Sequence, residues 1–296
     1  MLRVKNNYSI WVAEFANVPK YPLSGLIYGA HNQGHARLPY CYVVIKGQGQ
    51  IAMVDVGYNH KEYGEVLANM YGVRDWHSPR EVLAECGMTP EDVSRIFLTH
   101  AHFDHMGNIE DFPKATFYIQ ERELSKWVWA MSLERRFRWI MGGVDPADIM
   151  RTVDLARNKR LVCVDGDRED VLPGIDLHAA PDTHTWGSMY VRLRNDLSAN
   201  SKNTWIFAGD LVYMQENLRG YKAEDPEYIP VGFAMGSQFN LVMTTEELVK
   251  GVDGDISRVI AIHEDRLKDW FPSRVTASGV RVTELALADG EASRVG

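Results

Sequence analysis

The chain has 296 residues, enough for one large domain or two small ones, and its 45% hydrophobic and 24% charged content is that of an ordinary globular protein rather than a disordered or fibrous one. A formal net charge of −8 leaves no clustered excess of Lys and Arg to displace counterions from a phosphate backbone, which argues against nucleic acid and for a small-molecule partner. Cys41, Cys86 and Cys163 are odd in number and lack any CxxC spacing, the opening residues Met1 to Asn7 lack the apolar run of a signal peptide, and no stretch approaches the roughly 18 apolar residues of a membrane span; the chain therefore reads as cytoplasmic, with reduced thiols and no membrane partner.

In chain order, residues 42–57 form two β-branched runs around a Gly-containing turn, the pattern of a hairpin, and the second run ends in Asp55-Val-Gly57. Residues 61–71 have helical spacing, and residues 78–86 open with a Ser cap followed by Pro at the first helical position. Thr89-Pro looks like a further helix start, and Arg95 to Thr99 is a short buried strand. Strands are predicted at 115–119, 161–164, 175–179, 189–193, 204–208 and 259–262. Strands mixed with helices throughout indicate an α/β layered domain. Between Arg122 and Arg160 the pattern is helical, with Trp129, Leu133, Phe137 and Ile140 on one apolar face that is expected to pack on the core. Trp127, Trp139 and the Arg135, Arg136, Arg138 group lie off that stripe, either at a pocket mouth or on a solvated face. The tail from Ala286 to Gly296 is expected to fray.

The strongest chemical signal is Thr99-His100-Ala101-His102-Phe103-Asp104-His105, which places four potential metal ligands within six residues directly after a strand. Zinc takes imidazole nitrogen and carboxylate oxygen at about 2.0 to 2.2 Å, so its ligands must converge on one small volume. A tight loop leaving a strand can aim His100 and His102 to one side and Asp104 and His105 to the other, giving two adjacent half-sites. Taken singly, a His or Asp at a strand end is more often a core hydrogen-bonding residue or a cap.

This HxHxDH cluster resembles the hallmark of the metallo-β-lactamase superfamily, in which it is followed by a His, an Asp and a final His. His184 in Pro181-Asp-Thr-His-Thr-Trp-Gly187, Asp210 at the end of Trp205-Ile-Phe-Ala-Gly-Asp210, and His263 after Val259-Ile-Ala-Ile match those partners in order and in strand-end context. The resemblance implies an αββα sandwich of two mixed β-sheets flanked by helices, formed by a single domain over residues 1–296 with a helical insertion near 122–160. It implies one metal at His100, His102 and His184, a second at Asp104, His105 and His263, and Asp210 bridging both. Asp55 matches a carboxylate that orients a ligand. His31, His35, His60, His77 and His178 find no place in this set.

Two metals about 3.5 to 4 Å apart can share a hydroxide and polarise a substrate oxygen, so hydrolysis is the implied reaction and no Ser or Cys nucleophile is needed. The expected cofactors are two divalent ions, zinc by ligand type, with Mn, Fe or Co able to occupy the same set. His102 stands where the flavodiiron branch carries a Glu, and Asp210 as a bridge sets the chain apart from the true β-lactamases. Tyr213, three residues after Asp210, looks like the tyrosine of the N-acyl-homoserine lactonase group. On that reading the catalytic residues are Asp104 and Tyr213, although the residues alone leave Tyr213 equally open to being a buried core phenol. The resemblance implies a lactone hydrolase, quorum-quenching or acting on an aromatic-derived lactone, assembled as a homodimer. The Arg and Trp residues of the helix at 127–139 would suit a planar or carboxylate-bearing lactone better than a simple acyl chain. A thioesterase of glyoxalase II type and a non-catalytic scaffold of the same fold are the alternatives.

Overall fold

The computed structural model describes residues 5–222 and 224–296. Expectations that reach residues 1–4 and 223, including part of the opening stretch and of the span 1–296, lie outside the described residues there. The strands are β1 (Tyr8–Pro22), β2 (His35–Gly47), β3 (Gln50–Val54), β4 (Arg95–Phe97), β5 (Thr116–Gln120), β6 (Leu161–Val164), β7 (Arg168–Leu172), β8 (Ile175–Pro181), β9 (Gly187–Arg194), β10 (Thr204–Phe207), β11 (Val259–Ile260), β12 (Ser273–Val275) and β13 (Arg281–Ala286). They build an eight-stranded sheet in the order β12-β13-β1-β2-β3-β4-β5-β6 and a five-stranded sheet in the order β11-β10-β9-β8-β7. Both are mixed: β3 to β6 run parallel beside an antiparallel half, and β10 pairs parallel with β11 but antiparallel with β9. Helices flank the two sheets, as an αββα sandwich requires.

The interior between the sheets is formed by Ile10, Val12, Val43, Ile45, Val54 and Phe97 against Leu177, Val191, Leu193 and Phe207. The opposite face of the large sheet, with Trp11, Ala13, Phe15, Tyr42 and Val44, belongs to the core shared with the helices. Tyr8 to Val18 is therefore buried on both sides without interruption. This strand shows no polar alternation because neither of its faces meets water. The β2–β3 hairpin turns at Gln48 (φ 51°) and Gly49 (φ 72°), two left-handed residues whose twist suits a two-residue connection. The helix Pro79–Glu85 carries the expected Ser78 cap, completed by Glu81 reaching back to the cap backbone. After Thr89 the chain makes only a single 3-10 turn over Pro90–Asp92.

Two expectations need correction. Residues 122–160 are not one amphipathic helix: an α-helix over Glu121–Met131 stops at Ser132, a 3-10 segment covers Arg135–Met141, and a second α-helix starts at Pro146 behind an Asp145 cap. Within the first helix Trp127 is fully buried and Trp129, about 200° round the axis, is exposed; beyond the break Phe137 is exposed as well, so the supposed stripe is not the core face. The tail also does not fray, because Glu284 accepts from the Arg294 backbone N–H at 3.0 Å and Lys46 pairs with Glu291 at 2.7 Å. No described helix is long and apolar enough to cross a membrane. Cys41 and Cys86 are buried and Cys163 exposed, all three free.

Candidate metal centre

The parallel strands deliver their chemistry at their carboxyl ends, where an α/β sheet commonly opens a crevice. β3 runs into Asp55, β4 into the His100–His105 loop, β10 into Asp210 and β11 into His263, while His184 sits on the tight connection from β8 to β9. All seven predicted ligands are buried and converge. His100, His102, His184 and Asp210 bring donor atoms within 4.8 Å of one another, and Asp104, His105 and His263 form a second such group. Asp210 lies between them: Oδ2 is 3.3 Å from His184 Nε2 and 3.7 Å from His100 Nε2, while Oδ1 is 3.1 Å from His105 Nε2 and 3.2 Å from His263 Nε2. His31, His35, His60, His77 and His178 join neither group.

Neighbouring residues fix which ring nitrogens face inward. Asp55, held at φ 62° just past β3, accepts from the Thr99 backbone N–H at 2.7 Å, from Thr99 Oγ1 at 2.8 Å and from His105 Nδ1 at 2.8 Å. With its one proton given to Asp55, the Thr99 hydroxyl accepts from His100 Nδ1 at 3.1 Å. His263 Nδ1 donates to the Pro39 carbonyl at 2.7 Å. His100, His105 and His263 thus turn their Nε2 lone pairs toward the centre, the arrangement that holds a metal-binding tautomer.

That arrangement demands positive charge at the centre. His102 Nδ1 lies 3.0 Å from both His100 Nε2 and His184 Nε2, a spacing close to the roughly 3.3 Å expected between two imidazole nitrogens sharing a tetrahedral zinc. His105 Nε2, His263 Nε2 and Asp210 Oδ1 are buried without a hydrogen-bond partner. Acceptor atoms facing one another at these distances repel unless a proton or a cation lies between them. Burial pushes His100 and His102 well below the ordinary imidazole range and His184 down to about 4, leaving three neutral bases. Burial opposes charge on His105 and His263 as well, but Asp210 and Asp104 outweigh it and raise both. Burial likewise pushes Asp104 up, whereas His105, His263 and His100 overcome it at Asp210 and hold that carboxyl well below its usual range. Neutral imidazoles in one group and carboxylates with imidazoles in the other suit divalent ions, whose binding would displace the protons.

Tyr213 lines the same pocket, but its hydroxyl donates to Asp210 Oδ2 at 2.7 Å. The most consequential residue not singled out from the sequence is Glu123. Fully buried, its carboxylate accepts from Ala101 N at 2.9 Å, Trp127 Nε1 at 2.8 Å, Thr185 Oγ1 at 2.8 Å and Gly187 N at 2.7 Å. It thereby ties the peptide between His100 and His102 to the loop carrying His184. Burial pushes its carboxyl up while these donors oppose the rise. The only trace of this in the sequence is the four-residue spacing to Trp127, which any helix face can show. Glu264 is the other omission, accepting from Gln215 N at 3.0 Å and clamping Arg266 beside His263.

The fold and this centre together mark a metallo-hydrolase class, and residues 36–261 match the metallo-beta-lactamase superfamily, to which the chain belongs. The probable metallo-hydrolases Rv2300c of Mycobacterium tuberculosis and Mb2322c of Mycobacterium bovis are each 38% identical over 60 residues, a stretch covering 20% of this chain and 19% of theirs. Among solved structures, an N-acyl homoserine lactone hydrolase with N-hexanoyl-L-homoserine at its catalytic metal centre superposes with a TM-score of 0.66 at 17% identity, covering 90% of this chain and 96% of that one. A point variant of AiiA from B. thuringiensis with bound N-decanoyl-L-homoserine gives 0.65 at 16% identity over the same shares. AidC, a dizinc quorum-quenching lactonase, gives 0.63 at 15% identity, covering 96% and 97% of the two chains. At these identities the likeness speaks to the fold.

Proposed function

We propose that this chain is a dinuclear metal-dependent lactonase, with zinc the expected ion at His100, His102 and His184 and at Asp104, His105 and His263, and with Asp210 shared. The observation that carries the reading is the position of Asp210, whose two oxygens each face a separate set of inward-turned imidazoles. Divalent ions bound there supply Lewis acidity and a water of lowered pKa. Water adds to the lactone carbonyl carbon, the ring C–O bond breaks, and the ring oxygen takes up a proton to give a hydroxy acid. Asp104, at the pocket wall, carries the proton from the attacking water to the leaving ring oxygen. Tyr213 holds Asp210 Oδ2 in place, and its phenol reaches a substrate oxygen only by giving up that bond.

Two points favour a lactone over a glutathione thioester. The structural neighbours described above include N-acyl homoserine lactone hydrolases. The pocket over the centre is lined by Tyr21, Leu38, Tyr40, Tyr71, Phe103, Gly143, Tyr213 and Phe233 beside the ligand residues, with no Lys or Arg among the described residues to receive the carboxylates of glutathione. The test is acid release in a pH-stat from a panel of acyl-homoserine lactones, benzo-fused lactones and glutathione thioesters, with metal measured on the same sample. Lactone turnover at about two ions per chain, lost in His102→Ala, is the expected outcome. Turnover of thioesters alone would move the chain to the glyoxalase II type.

A further inference from the structure

The wall of this pocket has a chemistry of its own. Tyr21 at the end of β1, Tyr40 in β2 and Tyr71 at the end of the helix Glu62–Tyr71 come from three separate elements to line it. Tyr213 spends its hydroxyl on Asp210, but the hydroxyls of Tyr21, Tyr40 and Tyr71 make no hydrogen bond among the described residues; burial and nearby carboxylates and phenols, not hydrogen bonds, act on them. Two phenyl rings add flat apolar surface: Phe103 stacks on Tyr71 at 5.9 Å, and Phe233 lies 5.9 Å from the His102 ring. The pocket is open to solvent on one side, and the space within it is about 40 Å³, well below the few hundred cubic ångströms usual for a ligand pocket.

We infer that the substrate is a compact, flat, uncharged lactone carrying ring hydroxyl or other oxygen substituents, and that Tyr21, Tyr40 and Tyr71 select it by hydrogen-bonding those substituents. The inference rests on the lactonase reading and narrows it. An aromatic ring matches the Phe103, Tyr71 and Phe233 walls, and oxygen substituents satisfy hydroxyls that would otherwise lose their water when the pocket fills. A long acyl chain over the same hydroxyls would strand them, each at about 1 to 3 kcal/mol. A carboxylate on the ring would find no Lys or Arg among the described pocket residues, the centre itself being taken by the lactone group. Of the expectation for the Arg and Trp residues at 127–139, the planar lactone agrees with this inference and the carboxylate does not, because Arg135, Arg136 and Arg138 are exposed and none lines the pocket.

The test pairs turnover with binding on the metal-loaded protein. Kinetics are measured on a hydroxylated phthalide, phthalide itself and N-decanoyl homoserine lactone. Calorimetry compares hydroxyphthalan with phthalan, cyclic ethers that have no carbonyl to attack. The hydroxylated lactone is expected to be preferred over the parent about tenfold, chiefly in KM, and Tyr21→Phe and Tyr71→Phe are each expected to reduce that preference about 3- to 10-fold, the worth of one neutral hydrogen bond. The two ethers should show the same preference and the same loss. Preference for the decanoyl substrate, or a preference for hydroxyls that survives in both Phe variants, overturns the inference while leaving a lactonase. Hydroxyl-selective ether binding that depends on these tyrosines, with no lactone turned over, supports the pocket assignment and overturns the lactonase reading instead.

Discussion

Removing Glu123 should damage the metal centre without touching a ligand. In Glu123→Ala the N–H groups of Ala101, Gly187 and Trp127 lose their acceptor in a fully buried place, while Thr185 can turn to Ser188 Oγ, 2.8 Å away. Three stranded donors at about 1 to 3 kcal/mol each come to roughly 3 to 9 kcal/mol, comparable with the whole stability of a folded domain. The Ala variant is therefore expected to fold poorly. Glu123→Gln is the informative change: its amide oxygen can keep Ala101 and Trp127, its NH2 can donate to Thr185, and only Gly187 N–H is stranded, at about 1 to 3 kcal/mol. The peptide between His100 and His102 then loses part of its tether to the His184 loop, so zinc affinity in a chelator competition should fall about 10- to 100-fold, as when other groups that orient ligands are changed. The absorption bands of the cobalt-substituted protein should shift with it. A Gln variant with unaltered thermal stability, zinc affinity and cobalt spectrum would refute the argument that this carboxylate positions the centre.

Asp210→Ala should reduce bound metal from about two ions per chain to one or fewer and abolish hydrolysis, with far-ultraviolet circular dichroism unchanged; full activity would sink the shared-carboxylate mechanism. Tyr213→Phe removes one hydrogen bond to a carboxylate, about 1.5 to 3 kcal/mol, so kcat/KM should fall roughly 10- to 100-fold with metal content intact, whereas unchanged kinetics would return Tyr213 to a core role. Asp148 is buried, and burial, with Asp145 nearby, pushes its carboxyl up to about 7. A carboxyl whose folded pKa lies above its unfolded one stabilises the fold fully below the unfolded value and loses that contribution as pH rises through the folded value. Stability should accordingly fall between about pH 4 and 7 by up to about 4 kcal/mol on this account, and Asp148→Asn should flatten the dependence in denaturant melts across that range. An equally steep slope in the variant would discount the site.

The parts of the centre legible in the sequence are those that stand directly after apolar runs. His100 to His105, Asp210 and His263 each follow a short strand, so type, order and place coincide, and the geometry brings all seven candidates together. The residues that set their orientation were less visible. Asp55 was legible through the resemblance as a ligand-orienting carboxylate, whereas Thr99, Pro39 and Glu123 act through contacts that join distant segments. The insertion defeats a periodic reading because the helix stops at Ser132 and because Trp129 and Phe137, apolar residues on the supposed core face, stand exposed. β1 offered no alternation to read, since Trp11 and Phe15 face the helices while Ile10 and Val12 face the other sheet.

The insertion proves to be joined to the centre at two points. Near its start, Glu123 accepts from Ala101 N; further on, the Gly143 carbonyl accepts from Phe103 N at 2.8 Å, so the backbone on either side of His102 is held by the same segment. Gly143 stands at φ 81°, and a Cβ there would lie 3.4 Å from the His102 ring, in contact with a ligand that has little room to move. Trp127, held by Glu123, packs 6.3 Å from that ring on another side. His102 is the one member of its group whose inward atom is Nδ1, with no hydrogen bond from its Nε2 to set the ring as Thr99 sets His100. Packing must do for His102 what hydrogen bonds do for His100, His105 and His263, and residues 123–143 supply much of that packing.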